Sequence, residues 1–222
     1  MESDSFFTIQ TPAIGEFKDR GSKFIGFAYP VETVEACIVH LQSLKKEHFK
    51  ANHHCFAFRI GANGYNFRIN DDGEPSGTAG KPILGQIDSN KLTNILVVVV
   101  RYFGGTLLGT SGLINAYRQT TAIALKNAII IEKIIEEQFE LTFNYSIMPD
   151  VMNAVKKLNL PIIAQQFNEN AALITAIRQR DILTTLTQLK AQIAKISIDE
   201  AAQLSTIAGL NIKPLQNKTT LF

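Results

Sequence analysis

The 222-residue sequence is poor in the features that assign a protein quickly. No stretch approaches the roughly 18 uninterrupted apolar residues of a membrane span, and the opening MESDSFFTIQ is acidic where a secretion signal needs basic residues. There are two cysteines, Cys37 in a helix-like stretch and Cys55 in a strand-like one, settings in which a free thiol usually acts as a small buried apolar group. A reduced, cytoplasmic protein with no membrane partner is expected. Charge excess is also missing. The net charge is +2, with 14 Lys and Arg against 14 Asp and Glu before Gln138 and 8 against 6 from there on. Neither half has the basicity of a protein that holds nucleic acid mainly by neutralising phosphates, although a local patch remains open. No HExxH, CxxC or spaced carboxylate–histidine set occurs, and no repeat of roughly 20–50 residues. No metal and no cofactor are expected.

What is present is a succession of patterned segments. KFIGFAYPV has strand character, and ETVEACIVHLQSLKKEH shows helical spacing through Val34, Ile38, Leu41 and Leu44. HHCFAFRI alternates as a strand, with Cys55, Ala57 and Arg59 on one face and His54, Phe56 and Phe58 on the other. GANGYNFRIN reads as a turn into a further strand. DDGEPSGTAGKP holds three glycines and two prolines in twelve residues, which predicts a loop. NILVVVV is apolar on both faces and predicts a central strand covered on both sides, followed by a glycine loop and a helix from about Gly112 to Ala128.

From Gln138 the pattern changes. QFELTFNYSI predicts a strand and MPDVMNAVKKLNL a helix opened by Pro149 and Asp150. PIIAQQFN and AALITAIRQ, joined around Glu169 and Asn170, predict a hairpin; DILTTLTQLKAQI predicts a helix through Ile182, Leu183, Leu186, Leu189 and Ile193, and AKISID a closing strand. The resulting βαββαβ order is the ferredoxin-like pattern. The tail GLNIKPLQNKTTLF carries no usable period.

The chemistry motifs fail in informative ways. Gly104 to Ser111, GGTLLGTS, matches a nucleotide-triphosphate loop except that Thr110 stands where the lysine must be. Gly104 and Gly105 are adjacent, which also breaks the dinucleotide-binding pattern. Two readings of the glycines remain: an anion site at the helix start with Arg101 as a nearby cation, or a tight turn against a neighbouring element. AGKP at Ala79 to Pro82 and the calcium-loop match at NDDG are both rejected, because residues at required positions are wrong. His53 and His54 are neighbours on a strand and point to opposite faces, so they cannot share a metal in regular geometry. Asp71, Asp72, Glu74, Ser76, Thr78 and Lys81 form the densest polar cluster, able either to do acid–base or nucleophilic work or merely to make local turn bonds.

The stretches RGSKFIG, ANHHCFAF, NDDGEPSGTAGKPIL and VVVVRYFGGTLLGTSGLINAY, in that order, resemble the IMPACT family over about residues 15 to 128. The resemblance implies an α+β protein of two domains: an N-terminal one (1–137) like the second domain of ribosomal protein S5 and domain IV of elongation factor G, and a C-terminal ferredoxin-like one (138–205) like domain V of that factor, followed by a tail (206–222). Eukaryotic relatives regulate translation under amino-acid starvation by binding a large activator of the initiation factor 2 kinase pathway, using an additional N-terminal domain that these residues do not include. Family-motif positions here are Lys23, His53, His54, Asp71, Asp72, Gly73, Glu74, Gly80, Arg101, Tyr102, Gly104, Gly105 and Gly109. Asn115 departs from the lysine or arginine that some bacterial relatives place before the Ala-Tyr pair, which removes a cation from this helix.

Two functions follow as expectations. The first is a binding protein acting around translation, regulatory rather than catalytic, with Arg101, Lys23 and Lys81 on RNA phosphates and Tyr102 and Phe103 as a stacking surface; for these aromatics, core packing stays open as an alternative. The second is an enzyme of unknown substrate, hydrolytic or phosphate-binding, that uses the Asp71 to Lys81 loop with His53 or His54.

Overall fold

The fold was taken from a computed structural model, and the structure describes residues 4–168 and 171–215. The chain divides into two compact units, Ser5–Lys133 and a second formed by Met1–Asp4 with Ile134–Phe222.

The first unit runs β1 (Ser5–Ile9), β2 (Ala13–Asp19), β3 (Ser22–Pro30), α1 (Val34–Glu47), β4 (His53–Ile60), β5 (Asn66–Asn70), α2 (Gly80–Ser89), β6 (Ile95–Tyr102), α3 (Gly109–Lys126) and β7 (Ile130–Ile134). Five of its strands form one antiparallel sheet in the order β2-β3-β6-β4-β5, and β1 pairs with β7. β6 is central, and Val97, Val98, Val99 and Val100 are all fully buried. Alternation along the strand divides them between two cores. Val97 and Val99 pack with Cys55, Ala57, Ile83, Ile87 and Tyr117 beneath α2 and α3, whereas Val98 and Val100 pack with Phe58, Cys37 and Leu44 beneath α1. Each buried valine stabilises the sheet by about 1.5–3 kcal/mol relative to exposure.

Three local features differ from the sequence expectations. α2 begins at Gly80, inside the stretch predicted as a pure loop. Pro82 is tolerated there because the amides of a first helical turn have no intrahelical acceptor. α3 begins at Gly109 rather than near Gly112, so the last glycines of the motif already lie on the helix. In α1 the buried residues are Cys37 and Leu44, while Ile38 is 48% exposed.

The second unit runs β8 (Glu136–Phe143), α4 (Met148–Lys157), β9 (Ile162–Phe167), β10 (Ala171–Arg178), α5 (Ile182–Ala194), α6 (Ile198–Gln203) and β11 (Leu210–Pro214). Its antiparallel sheet has the order β11-β8-β10-β9. Leu141, Phe143, Leu173, Val151, Val155, Leu189 and Ile193 make its core. Glu169 and Asn170, expected to join the hairpin, lie outside the described residues. In α5, Leu183 is 81% exposed and does not share the buried face of Leu189 and Ile193.

The expected strand AKISID is not a strand. Lys195 adopts a left-handed conformation (φ 59°, ψ 42°) and ends α5; Ser197 then caps α6, its Oγ accepting the Glu200 N–H while the Glu200 carboxylate accepts the Ser197 N–H. This Ser-x-x-Glu reciprocity is a helix start, and it outweighs the alternation of apolar residues in so short a stretch. The strand that completes the sheet is β11, from the stretch read as a tail, and it pairs with β8 from Leu210↔Phe143 to Pro214↔Phe139.

Candidate functional site

The two motif loops and the start of β4 meet around one groove of about 340 Å³. Its polar groups come from Asn52, His53, Glu74 and Arg101, and its apolar wall from Pro75, Phe103, Leu107, Leu108 and Leu113. Gly109 and Thr110, the first residues of α3, complete the rim.

Arg101, next to last in β6, has only 5% of its surface exposed. Its Nη1 donates to Glu74 Oε1 at 2.6 Å, Nη2 reaches Ser22 Oγ at 3.4 Å, and the guanidinium lies over the rings of Phe24 and Phe103. Glu74, 8% exposed, accepts a second hydrogen bond on Oε1 from Tyr117 OH at 2.7 Å. Tyr117 in turn accepts from the Cys55 thiol at 3.3 Å. Burial drives the ionisation of both Tyr117 and Cys55 far upward, so each keeps its proton. The arrangement is an internally neutralised cluster, a guanidinium and a carboxylate with two neutral donors.

The contact expected from Arg101, a phosphate, is therefore not the one its geometry makes. The guanidinium is committed to Glu74 and buried under aromatic rings. Lys23 pairs with Glu16 at 2.8 Å on the β2–β3 hairpin, and Lys81 is exposed on α2; neither lines the groove. The aromatic pair also splits. Tyr102 turns to the α1 face and bonds His48 Nδ1 through its hydroxyl at 2.8 Å, while Phe103 stays 44% exposed beside the groove.

The acidic loop holds its shape through its two leading aspartates. Asp71 accepts the backbone N–H groups of Gly77, Ala79 and Gly80 at 2.8–3.0 Å, which ties the loop to the start of α2. Burial acts to raise its pKa, but those three donors together with Lys81 outweigh it and hold the carboxyl below the ordinary value. Asp72 sits at φ 41°, a left-handed backbone that typically costs about 1–3 kcal/mol in a residue other than glycine. Four contacts hold it there: its N–H to Asn70 Oδ1, its carbonyl to His53 Nδ1, its carboxylate to the His54 N–H, and its carboxylate to Lys45 Nζ. Ser76 is exposed and is not among the residues lining the groove.

The two histidines face opposite sides of the sheet, as adjacent strand residues must. His53 points to the groove, with Nε2 3.9 Å from Glu74 Oε1. His54 is 7% exposed on the α1 side, where burial lowers its pKa and the nearby Lys45 and His48 add to the effect against the pull of Asp72. Among the described residues, no group of three or more His, Cys, Asp or Glu side chains could hold a metal ion, and no helix is long and apolar enough to cross a membrane.

The glycines of the loop serve close approach and backbone turning. A Cβ on Gly104 would lie 1.9 Å from the Gly21 carbonyl carbon, and Gly105 has φ 85°. The Gly104 N–H also reaches Ser22 Oγ at 3.2 Å. Gly73 turns the acidic loop at φ 88° against the His53 ring, and Gly80 opens α2.

Three contributors, Tyr117, Ser22 and Asn52, were not singled out in the sequence. Tyr117 shares the buried face of α3 with Leu113, Ala116 and Ala124, and a hydroxyl on an apolar stripe is a signal that a buried partner exists. Ser22 and Asn52 lie within the quoted RGSKFIG and ANHHCFAF stretches but carry no pattern of their own.

A family model for the Impact N-terminal domain matches residues 20–125. The chain is 31% identical over 195 residues to the IMPACT family member YvyE of Bacillus subtilis, covering 85% of this chain and 90% of that one. It is 35% identical over 175 residues to an IMPACT family member of Haemophilus influenzae, covering 78% and 85%. A solved structure described as a hypothetical protein superposes with a TM-score of 0.69 at 27% identity, over 98% of this chain and all of that one. With the motif stretches, the matched N-terminal domain and relatives aligned across both units, this chain belongs to the IMPACT family.

Proposed function

We propose that this chain is a translation-associated binding protein, regulatory rather than catalytic, that contacts RNA or a ribosome-associated partner through the groove between its two motif loops. The observation that carries the reading is the character of that groove: an apolar wall with Phe103 and the 81%-exposed Leu107 at its edge, above a floor whose charges already cancel. Such a surface holds a base or an apolar side chain better than it performs chemistry. The rival, an enzyme built on the Asp71 to Lys81 loop, loses support from the same geometry. Asp71 is occupied by three amides, Asp72 by His54 and Lys45, His54 faces away, and Ser76 stands apart from the groove.

The domain assignment belongs to the same proposal. The first unit is taken as ribosomal protein S5 domain 2-like. The second is taken as ferredoxin-like and akin to domain V of elongation factor G, supported by its strand order of fourth, first, third and second along the chain. β11 supplies the fourth strand, which extends that domain past residue 205. A cytoplasmic location goes with this role.

The test is sedimentation of the tagged protein with ribosomal fractions at low salt, with Phe103→Ala and Leu107→Asp as variants. Both side chains are exposed, so the fold should survive the changes. Co-sedimentation that these variants abolish is expected; a protein that stays in the soluble fraction without RNA or ribosomes overturns the reading.

A further inference from the structure

The hydrogen-bonding polarity of the groove is fixed by what its side chains already touch. Asn52 Oδ1 accepts the Phe103 N–H at 2.9 Å, which leaves the Nδ2 amide as the donor end. His53 Nδ1 lies 2.8 Å from the Asp72 carbonyl oxygen. That oxygen only accepts, so Nδ1 carries the proton and Nε2 of the neutral ring is an acceptor. Nε2 lies 3.9 Å from Glu74 Oε1, too far for a direct hydrogen bond, and the carboxylate has no proton to donate to its lone pair. On Glu74, both Arg101 and Tyr117 bond Oε1, and Oε2 accepts no hydrogen bond among the described residues. Asn52, His53 and Glu74 thus offer one donor and two acceptors beside an aromatic edge, over a buried Arg101 Nε–H that has no hydrogen-bond partner among the described residues.

Charge then selects among ligands. A phosphate would meet the Glu74 carboxylate, and an ammonium or guanidinium would add a second cation next to Arg101, 2.6 Å from the same carboxylate. A neutral planar ring suits a floor that is already balanced, and about 340 Å³, near the low end of ligand sites, has room for a base. Among the four RNA bases, guanine alone presents two donors, N1–H and the N2 amine, beside one acceptor, O6, on its pairing edge. Uracil and cytosine each present two acceptors and one donor, and adenine lacks the second donor.

We propose that the groove holds a single unpaired guanine base of an RNA strand, read by Asn52, His53 and Glu74 and stacked against Phe103. This rests on the RNA form of the function proposed above, and it names the base that the site accepts.

The experiment is fluorescence anisotropy with labelled pentaribonucleotides UUGUU, UUAUU and UUIUU, where inosine lacks only the N2 amine. Calorimetric titration with guanosine monophosphate runs beside it. UUGUU should bind about tenfold more tightly than UUAUU, with UUIUU between them. His53→Ala and Glu74→Gln should erase the preference, and Phe103→Ala should weaken all three strands alike. Thermal melts establish that each variant is folded, and His53→Ala carries the test if Glu74→Gln is not. Equal affinity for UUGUU and UUAUU overturns the guanine site while leaving RNA binding in place. Ribosome association without binding to any strand overturns it in favour of a protein partner. Guanosine monophosphate binding as tightly as UUGUU supports the guanine site but overturns its RNA source in favour of a free nucleotide.

Discussion

Arg101 and Glu74 meet at 2.6 Å with side chains only 6% and 4% exposed, and this buried pair is the hub around which the two family motifs assemble. Arg101 comes from the end of β6 and Glu74 from the acidic loop, 27 residues earlier. Tyr117 of α3 and Ser22 of β3 complete the set, so three secondary-structure elements and a loop are held by one cluster.

Breaking that pair from one side should be severe. Arg101→Met leaves the Glu74 charge buried with only the Tyr117 hydroxyl, and a loss of about 3–5 kcal/mol in urea denaturation is expected. The double variant Arg101→Met with Glu74→Gln should recover much of the loss, because no unpaired charge then remains. A double variant no more stable than Arg101→Met would show that the pair is not what holds the cluster.

Asp71 predicts a different failure, of the loop rather than the core. Asp71→Ala leaves the amides of Gly77, Ala79 and Gly80 without their acceptor and should destabilise the protein by about 1–3 kcal/mol. Because the folded carboxyl has a lowered pKa, its contribution is present above the unfolded value of about 3.9 and is lost as pH falls through the folded value. The gap in stability between wild type and Asp71→Ala should therefore narrow in acid. A constant gap from pH 7 down to pH 2 would be the contrary result.

His54 sets a pH response closer to neutrality. Its folded pKa is lowered, chiefly by burial, so the unfolded chain takes up a proton more readily than the native one. Stability attached to the neutral ring is full above the unfolded value of about 6.5 and declines as pH falls below it. Urea melts at pH 7.5, 6.5 and 5.5 should show this decline in wild type and a flatter profile in His54→Phe. Parallel profiles would remove His54 as the source.

Gly104 and Gly85 make a matched pair of glycine tests. Gly104→Ala drives a methyl group into the Gly21 backbone and should lower stability by about 1–3 kcal/mol, measured by thermal denaturation. Gly85 lies in α2 with nothing within 4 Å of its missing Cβ, and Gly85→Ala should raise stability by about 0.5–1 kcal/mol. Equal effects at the two positions would contradict the close approach of the β3 turn to the glycine loop.

Much of this was legible in the residues because it depends on local pattern. The doubly apolar run at Val97 to Val100 allows little but a central strand, the glycine and proline density from Asp71 marks a loop, and Thr110 in place of lysine excludes a nucleotide-triphosphate loop. Neighbouring His53 and His54 had to part to opposite faces, since strand geometry has period two. The tertiary structure decided what no local pattern encodes. Whether Arg101 meets a phosphate or a carboxylate depends on where Glu74 is carried by a loop 27 residues away, and the low-dielectric interior makes that pairing compulsory once both are buried. The same holds for Tyr117, which reads as one more residue of a helix face until its hydroxyl finds Glu74. β11 alternates only through Leu210, Asn211, Ile212 and Lys213, too short a stretch to mark a strand alone, and the edge of β8 supplies the hydrogen bonds that make it one.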